Sequence, residues 1–539
     1  LPSGEKELLQ TLAVIGREFS LRLVRDLVAT SDEELERLLT ALQLAEFIYE
    51  QPAPDGVEYR FKHALTQEVA YNSVLVERRK ALHEQTGEAI ERLFADRLDD
   101  YVAELAHHYE RSANAGKAVE YLGRAARKAS EQAAHSEVVG HVRRALELIK
   151  QLPDGAQRAR HELELQITLS LSLFVAGGIG SPEREKALVR ALELCEQFGD
   201  SRAMGVLLSL GVLQWSRSEI PLALELFERA LTLAQQARDA EVLAAAHAGI
   251  GNSLTTLGQF DEARKHFEAT IELLGGPWTR KFDQVLVTAQ SAPLTMSLAL
   301  LALGYPLAAL RRSKDALEIM RRRSEPFMNA AALGVNLFIH LALRDLRSVS
   351  DQVEELAAIT AEHDIAFYHA AALFYRAWLT ADAGRLDESL VQMKAIIKQF
   401  GVMPPADNLI AALGEVCLRN RLPDEGLATI KDALARSDKN PGLQAEFYRL
   451  KGELTLLKDP HNEAEVERYL RQAIEIAQRQ AARLFELRAI TSLARLLAKQ
   501  GRRDEAREML AEIYNWFTEG FDTTDLKEAK ALLDELATQ

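Results

Sequence analysis

Apolar positions recur at helical spacing through most of the chain, and the period changes near the N-terminus. The stretch LLQTLAVIG reads as helix, and a second short helix is expected over Leu21–Val28. Ser31-Asp32-Glu33-Glu34 reads as a capping box, with Ser31 as N-cap and Glu34 reaching back to the backbone. It opens a helix with Leu35, Leu38, Leu39, Leu42 and Leu44 on its apolar side. The segments FIYEQ and VEYRF then alternate with period two around Pro-Ala-Pro-Asp-Gly, where Asp55-Gly56 suits a hairpin turn. Three helices and one β-hairpin predict a winged helix-turn-helix domain over residues 1–62.

Next comes FKHALTQEVAYNSVLVERRKALH, in an otherwise acidic protein. The spacing predicts a long helix starting at His63. Ala64, Leu65, Val69, Ala70, Val74 and Leu75 form its apolar side, and Arg78, Arg79 and Lys80 a solvated one. A histidine in the first turn of a helix lies beside free backbone N–H groups and can help hold a phosphate; capping or packing is the alternative.

From about residue 100 the texture is helix pairs. LLSLGVLQWSRSEIPLALELFERAL aligns with AHAGIGNSLTTLGQFDEARKHFEATI, matching Gly211 with Gly251, Ala223 with Ala263 and Phe227 with Phe267 at a 40-residue step. Small residues at such positions let paired helices approach, and the phenylalanine fills the gap between pairs. A turn glycine precedes a small residue by five positions at Gly258/Ala263, Gly304/Ala309, Gly384/Ser389 and Gly501/Ala506. Val349 departs from the rule; Gly414, Gly426 and Gly452 mark further units, and AHHYERSANAGKAVEYLGRAA reads as a degenerate first one. The pattern resembles tetratricopeptide repeats stretched beyond their usual length. It is strong over 200–270 and 370–515 and weak over 280–360. The expected fold class is all-α: the winged helix, then an α-α superhelix. Linking helices and degenerate repeats are assigned to 63–160, the solenoid to 161–515, and a capping helix to 516–539 with Thr524 as N-cap. Phe517, Phe521, Leu526, Leu532 and Leu533 are expected to cover the last open apolar face.

Charge narrows the functional classes. The chain has 539 residues and a formal charge of −15. Residues 1–100 hold 12 Lys and Arg against 20 Asp and Glu, and the helix after Ser31 begins with four carboxylates among five residues. Phosphate would be repelled there, so no nucleic-acid partner is expected. The uncharged run Val285–Leu310 is long enough for a membrane span. Pro293, Gly304 and Pro306 favour two packed helices joined by Gly-Tyr-Pro, so no membrane partner is expected either. Cys195 and Cys417 are far apart and are expected to be buried thiols of a cytoplasmic protein. The opening Leu-Pro-Ser-Gly-Glu-Lys suggests a piece of a longer protein.

Catalytic patterns do not hold. There is no G-x-x-x-x-G-K-[ST], H-E-x-x-H or G-x-S-x-G. Ala176-Gly177-Gly178-Ile179-Gly180-Ser181 precedes Pro182 and is read as a helix start capped by Ser181. His83-Glu84 and His107-His108 lack metal-ligand spacing, and Arg321-Arg322-Arg323, near Ser324, reads as a solvated helix end. No catalytic residue, metal site or enzymatic activity is expected in this chain.

Six blocks carry a family resemblance: TLAVIGREFS, LQLAEFIYE, FKHALTQEVAYNSVLVERRKALH, ELAHHYERSANAGKAVEYL, EFYRLKGELTLL and IYNWFTEGFDTTDLKEAKALLDEL. They resemble the C-terminal half of bacterial STAND-type signal-transduction ATPases. Many of those join a class III adenylate/guanylate cyclase domain, an AAA-like ATPase, a winged helix and tetratricopeptide repeats. The resemblance implies a regulatory region whose partners are its own upstream ATPase domain and a protein or small molecule in the repeat groove. ATP or ADP with Mg would sit in the upstream domains, and no cofactor in this chain. FKHAL is similar to the Met-His-Asp motif of related switch ATPases, which would make His63 a nucleotide sensor. Phe61 replaces the Met and Ala64 the Asp, so the Asp role has no carrier. Part of a STAND-type transcription regulator, by analogy with the maltose-regulon activator, and a free-standing peptide-binding scaffold remain as alternatives.

Overall fold

The computed structural model describes residues 1–538 except 54–55, 133, 177–178, 276–282, 324 and 383. The described residues form 27 α-helices and one three-stranded sheet. The chain divides into two compact units, Leu1–Ser172 and Leu173–Gln539.

In the first unit, helices Ser3–Ile15, Leu21–Leu27 and Asp32–Leu44 pack around Leu12, Val24 and Leu42, all fully buried. Strands β1 (Glu18–Ser20), β2 (Ile48–Ala53) and β3 (Gly56–Phe61) form an antiparallel sheet in the order β1-β3-β2, with Ile48 opposite Phe61. The hairpin β2-β3 follows from the alternation. β1 has only three residues and no readable alternation; Phe19 plants it in the core. Asp55 of the expected turn lies outside the described residues.

Three local expectations are corrected. The Ser31 hydroxyl accepts from the Glu34 N–H at 3.3 Å, but the Glu34 carboxylate does not reach back. It takes a two-pronged bond from Arg37 at 2.6 and 2.8 Å, because a guanidinium one turn on is a stronger donor than a backbone amide. Leu44, in the last turn, is 82% exposed rather than part of the apolar stripe. The long helix from His63 is two helices, Ala64–Asn72 and Val76–Leu93. Ser73 turns its hydroxyl onto the Ala70 carbonyl at 2.7 Å and accepts from Gln10 at 2.8 Å, while Val74 is buried at the break. This re-aims the apolar side: Ala70 and Val74 are buried, whereas Leu65, Val69 and Leu75 are 69%, 61% and 79% exposed.

The second unit is a repeat superhelix. The Ser181 hydroxyl caps Pro182–Phe198 by accepting from the Arg184 N–H at 3.2 Å, with Pro182 in the first turn. Eight helical hairpins follow: Ala203–Ser216 with Ile220–Ala237, Ala240–Thr256 with Phe260–Leu274, Gln284–Ala302 with Pro306–Arg323, Pro326–Ala342 with Leu346–Glu362, Ala366–Asp382 with Leu386–Phe400, Pro404–Arg419 with Pro423–Leu434, Gln444–Lys458 with Glu463–Arg479, and Arg483–Lys499 with Arg503–Trp516. Seven of the eight hairpin turns contain a left-handed residue. Gly258, Gly304, Gly384 and Gly501 supply it at φ 72°, 94°, 89° and 81°, and Ser218, Arg344 and Arg421 do so at φ 59°, 61° and 59°. The same turn therefore runs through the region where the glycine pattern fades. Phe227 is wedged between Gly211 of its own hairpin and Gly249 of the next, and Phe267 packs against Gly251.

Gln284–Ala302 is the one described helix long and apolar enough to cross a membrane; 78% of its apolar window is buried inside the protein. It continues through Pro293 and joins Pro306–Arg323 through the expected Gly304 turn. The final helix, Thr524–Ala537, covers the last hairpin with Leu526, Leu532 and Leu536. Its N-cap is Thr523, not Thr524, and Phe521 lies 48% exposed beside Tyr514 instead of sealing the face.

Later hairpins stack on the turns of earlier ones. Ser218 donates to the Val402 carbonyl and accepts from Asn440 at 2.8 Å. Gln480 lies against Gly258. Trp516 packs on Tyr305 with ring centroids 5.7 Å apart, and Glu519 accepts from the Ala308 N–H at 2.9 Å. Arg344 donates to Glu528 at 2.8 Å, and Arg488 to the Ala342 carbonyl at 2.6 Å. One superhelical turn thus closes on the next and borders a space along its axis.

Candidate functional site: the interior of the repeat superhelix

The interior holds a partly open cavity of about 370 Å³. The first helix of each hairpin supplies most of its wall, which is why those helices are buried on nearly every side. Twelve of the 50 lining residues are aromatic, against 6% of the chain. Phe367 and Tyr368 meet edge to face at 4.9 Å, and Phe367 leans on Phe400 at 4.7 Å. Trp378 carries the Arg419 guanidinium 5.2 Å from its ring centroid.

Polar groups gather in two places. At one, Asn440 donates to Ser218 at 2.8 Å and to Asp407 at 3.3 Å, and Arg436 also reaches Asp407 at 3.3 Å. Burial pushes the Asp407 carboxyl up to about 6, against the pull of Arg436 and Asn440. At the other, a smaller cavity of about 150 Å³ adjoins an ionic lattice. Arg449 is held by Glu446 at 2.6 Å, by Glu453 at 2.9 Å and by Glu415. Arg488 bridges Asp525 at 2.8 Å and Glu446 at 3.4 Å. Burial alone would raise the Glu446 carboxyl; Arg449 and Arg488 outweigh it and hold it at about 2. Asp525, on the final helix, is likewise held below the usual range by Arg488 and Arg344 against burial. The lattice ties the eighth hairpin and the final helix to the turn at Arg344.

The residues singled out in the sequence lie elsewhere. His63 is exposed at the N-cap of Ala64–Asn72, and its side chain makes no capping bond. His83 and His108 are buried and face each other, Nδ1 to Nδ1, at 2.9 Å; Tyr71 adds a contact to His83 Nε2 at 3.1 Å. Burial, then His107, Arg111 and Arg79, push His83 down to about 3. Both cysteines are buried thiols, and burial pushes each up to about 11. Arg321 pairs with Glu355 at 2.7 Å on the surface; Ser324 and the Gly177-Gly178 pair lie outside the described residues. Among the described residues no group of three or more His, Cys, Asp or Glu is placed to hold a metal ion. Sequence reading passed over the cavity wall. Its signal was present in AFYHAAALFYRAW, where aromatics alternate with alanines on the inner helix Ala366–Asp382.

A tetratricopeptide-repeat family model matches residues 202–275, the two hairpins where the 40-residue pattern is clearest. An uncharacterised protein of Rhizobium meliloti (strain 1021) is 26% identical over 195 residues; the match covers 36% of this chain and 19% of that protein. Among solved structures, a Rap protein complexed with competence and sporulation factor is 16% identical, with a TM-score of 0.39 over 70% of this chain and 99% of the other. A STAND protein with a tetratricopeptide-repeat sensor from Pyrococcus horikoshii is 12% identical, with a TM-score of 0.24 over 99% of this chain and 65% of the other. The chain is a tetratricopeptide-type helical repeat protein.

Proposed function

We propose that the chain is the sensor and switch region of a signal-transduction ATPase of the STAND type, with the interior of the superhelix as the sensing site. The observation that carries this reading is the aromatic-lined cavity under turns clasped by the Arg344–Asp525–Arg488 lattice. A ligand that fits the cavity stabilises the stacked turns; one that spreads them competes with the clasp. Either way occupancy becomes a change in the spacing of hairpins, which an attached domain can read. The three helices with β2-β3 and the short β1 support a winged helix for residues 1–62. The fragment then has no catalytic role of its own, and its partners are the upstream ATPase and the ligand.

On this reading exposed His63 contacts the phosphate of ADP held by the ATPase domain. In protein purified from the full reading frame, His63→Ala lowers the ADP retained per chain and raises basal ATP hydrolysis. Unchanged nucleotide content and rate return His63 to the surface of a scaffold.

A further inference from the structure

We infer that the cavity takes an uncharged aromatic small molecule, an inference that rests on the sensing role given to this interior. Size comes first. A volume of about 370 Å³ falls low in the roughly 300–1,000 Å³ range of small-molecule sites. An extended peptide would bring an amide donor and acceptor with every residue, and each would need a partner in a wall that is mostly apolar.

Charge comes next. Six lining residues are charged, three of each sign: Arg344, Arg419 and Arg488 against Asp407, Glu415 and Glu446. Arg344 holds Glu528, Arg488 holds Asp525, Glu415 and Glu446 hold Arg449, and Asp407 holds Arg436. Arg419 lies over the Trp378 ring. An ionic ligand engaging any of the five paired groups would have to break an ion pair. A neutral one leaves the lattice intact.

The wall also specifies recognition. Phe338, Phe367, Tyr368 and Trp215 line the cavity while only part-buried, so their rings keep free surface for a planar ligand.

The test is a fluorescence titration of the whole chain with N-phenyl-1-naphthylamine, which is neutral, aromatic and carries one N–H. Saturable, blue-shifted emission is expected at one site per chain, with energy transfer from tryptophan that Trp378→Phe and Trp215→Phe reduce. Ala411→Trp fills the cavity from a part-buried lining position and weakens binding at least tenfold. The tryptophan-transfer readout decides the location independently if that variant folds poorly. 1-Naphthoate and a neutral tetrapeptide compete at least tenfold less well. Tighter binding of the naphthoate or the peptide, still abolished by Ala411→Trp, overturns the ligand class and leaves the sensing site standing. Probe binding indifferent to Ala411→Trp and without transfer, or no binding by any of the three, overturns both.

Discussion

Gly211 and Gly205 share the helix Ala203–Ser216, and replacing each by alanine should move stability in opposite directions. A helical Gly→Ala change by itself stabilises by about 1 kcal/mol, because glycine loses more backbone freedom on folding. At Gly205 the nearest foreign atom to a new Cβ is a Val285 methyl at 3.5 Å, an ordinary contact, so the gain is kept. At Gly211 the Cβ would meet three Phe227 ring atoms at 2.5, 2.8 and 2.8 Å. Phe227 is 1% exposed and is pressed from its other side by Gly249, so its ring has nowhere to retreat. Overpacking of that kind costs about 1–3 kcal/mol, and Gly211→Ala should therefore lie about 1–3 kcal/mol below Gly205→Ala. Urea unfolding of the chain, read at the transition of the repeat unit with the slope checked for constancy, measures the gap. Gly249→Ala presses the same ring from the other side, so the double variant with Gly211→Ala should cost more than the sum. The reasoning is refuted if Gly211→Ala equals or exceeds Gly205→Ala in stability.

Arg488→Met leaves the buried Asp525 and Glu446 carboxylates short of their cation, and should cost the repeat unit about 3–5 kcal/mol, read as a lowered melting midpoint; a loss under ~1 kcal/mol would show that the lattice is slack. The first unit should weaken in mild acid: His83 titrates at about 3 when folded against about 6.5 unfolded, so the unfolded chain binds more protons between those values. Its contribution is complete above pH ~6.5 and is lost as pH falls through that window, and His83→Gln should flatten the dependence of urea midpoint on pH. An unchanged slope would place the acid sensitivity elsewhere.

The repeats were legible where packing imposes a residue type. Gly211, Gly251, Phe227 and Phe267 repeat because a ring must fit against a helix backbone without a Cβ between them. The signal fades over 280–360 where the fully buried Val349 replaces a small residue. Gln284–Ala302 hides its face for another reason: it is surrounded, so apolar residues occupy its whole circumference. β1 was invisible because three residues carry no period. The break at Ser73 depends on Gln10, 63 positions away, which local spacing does not encode. The cavity was unreadable for the same reason on a larger scale: Ser218 meets Val402 and Asn440 only after the superhelix has turned.

Hydrogen–deuterium exchange of the whole chain, with and without saturating N-phenyl-1-naphthylamine, tests the central claim that the superhelix interior is the sensing site. Added protection is predicted in Pro326–Ala342, Ala366–Asp382 and Pro404–Arg419, whose inner faces line the cavity. Protection confined to the exposed apolar residues Leu65, Val69 and Leu75 of the first unit, or none in the repeat helices, would contradict it.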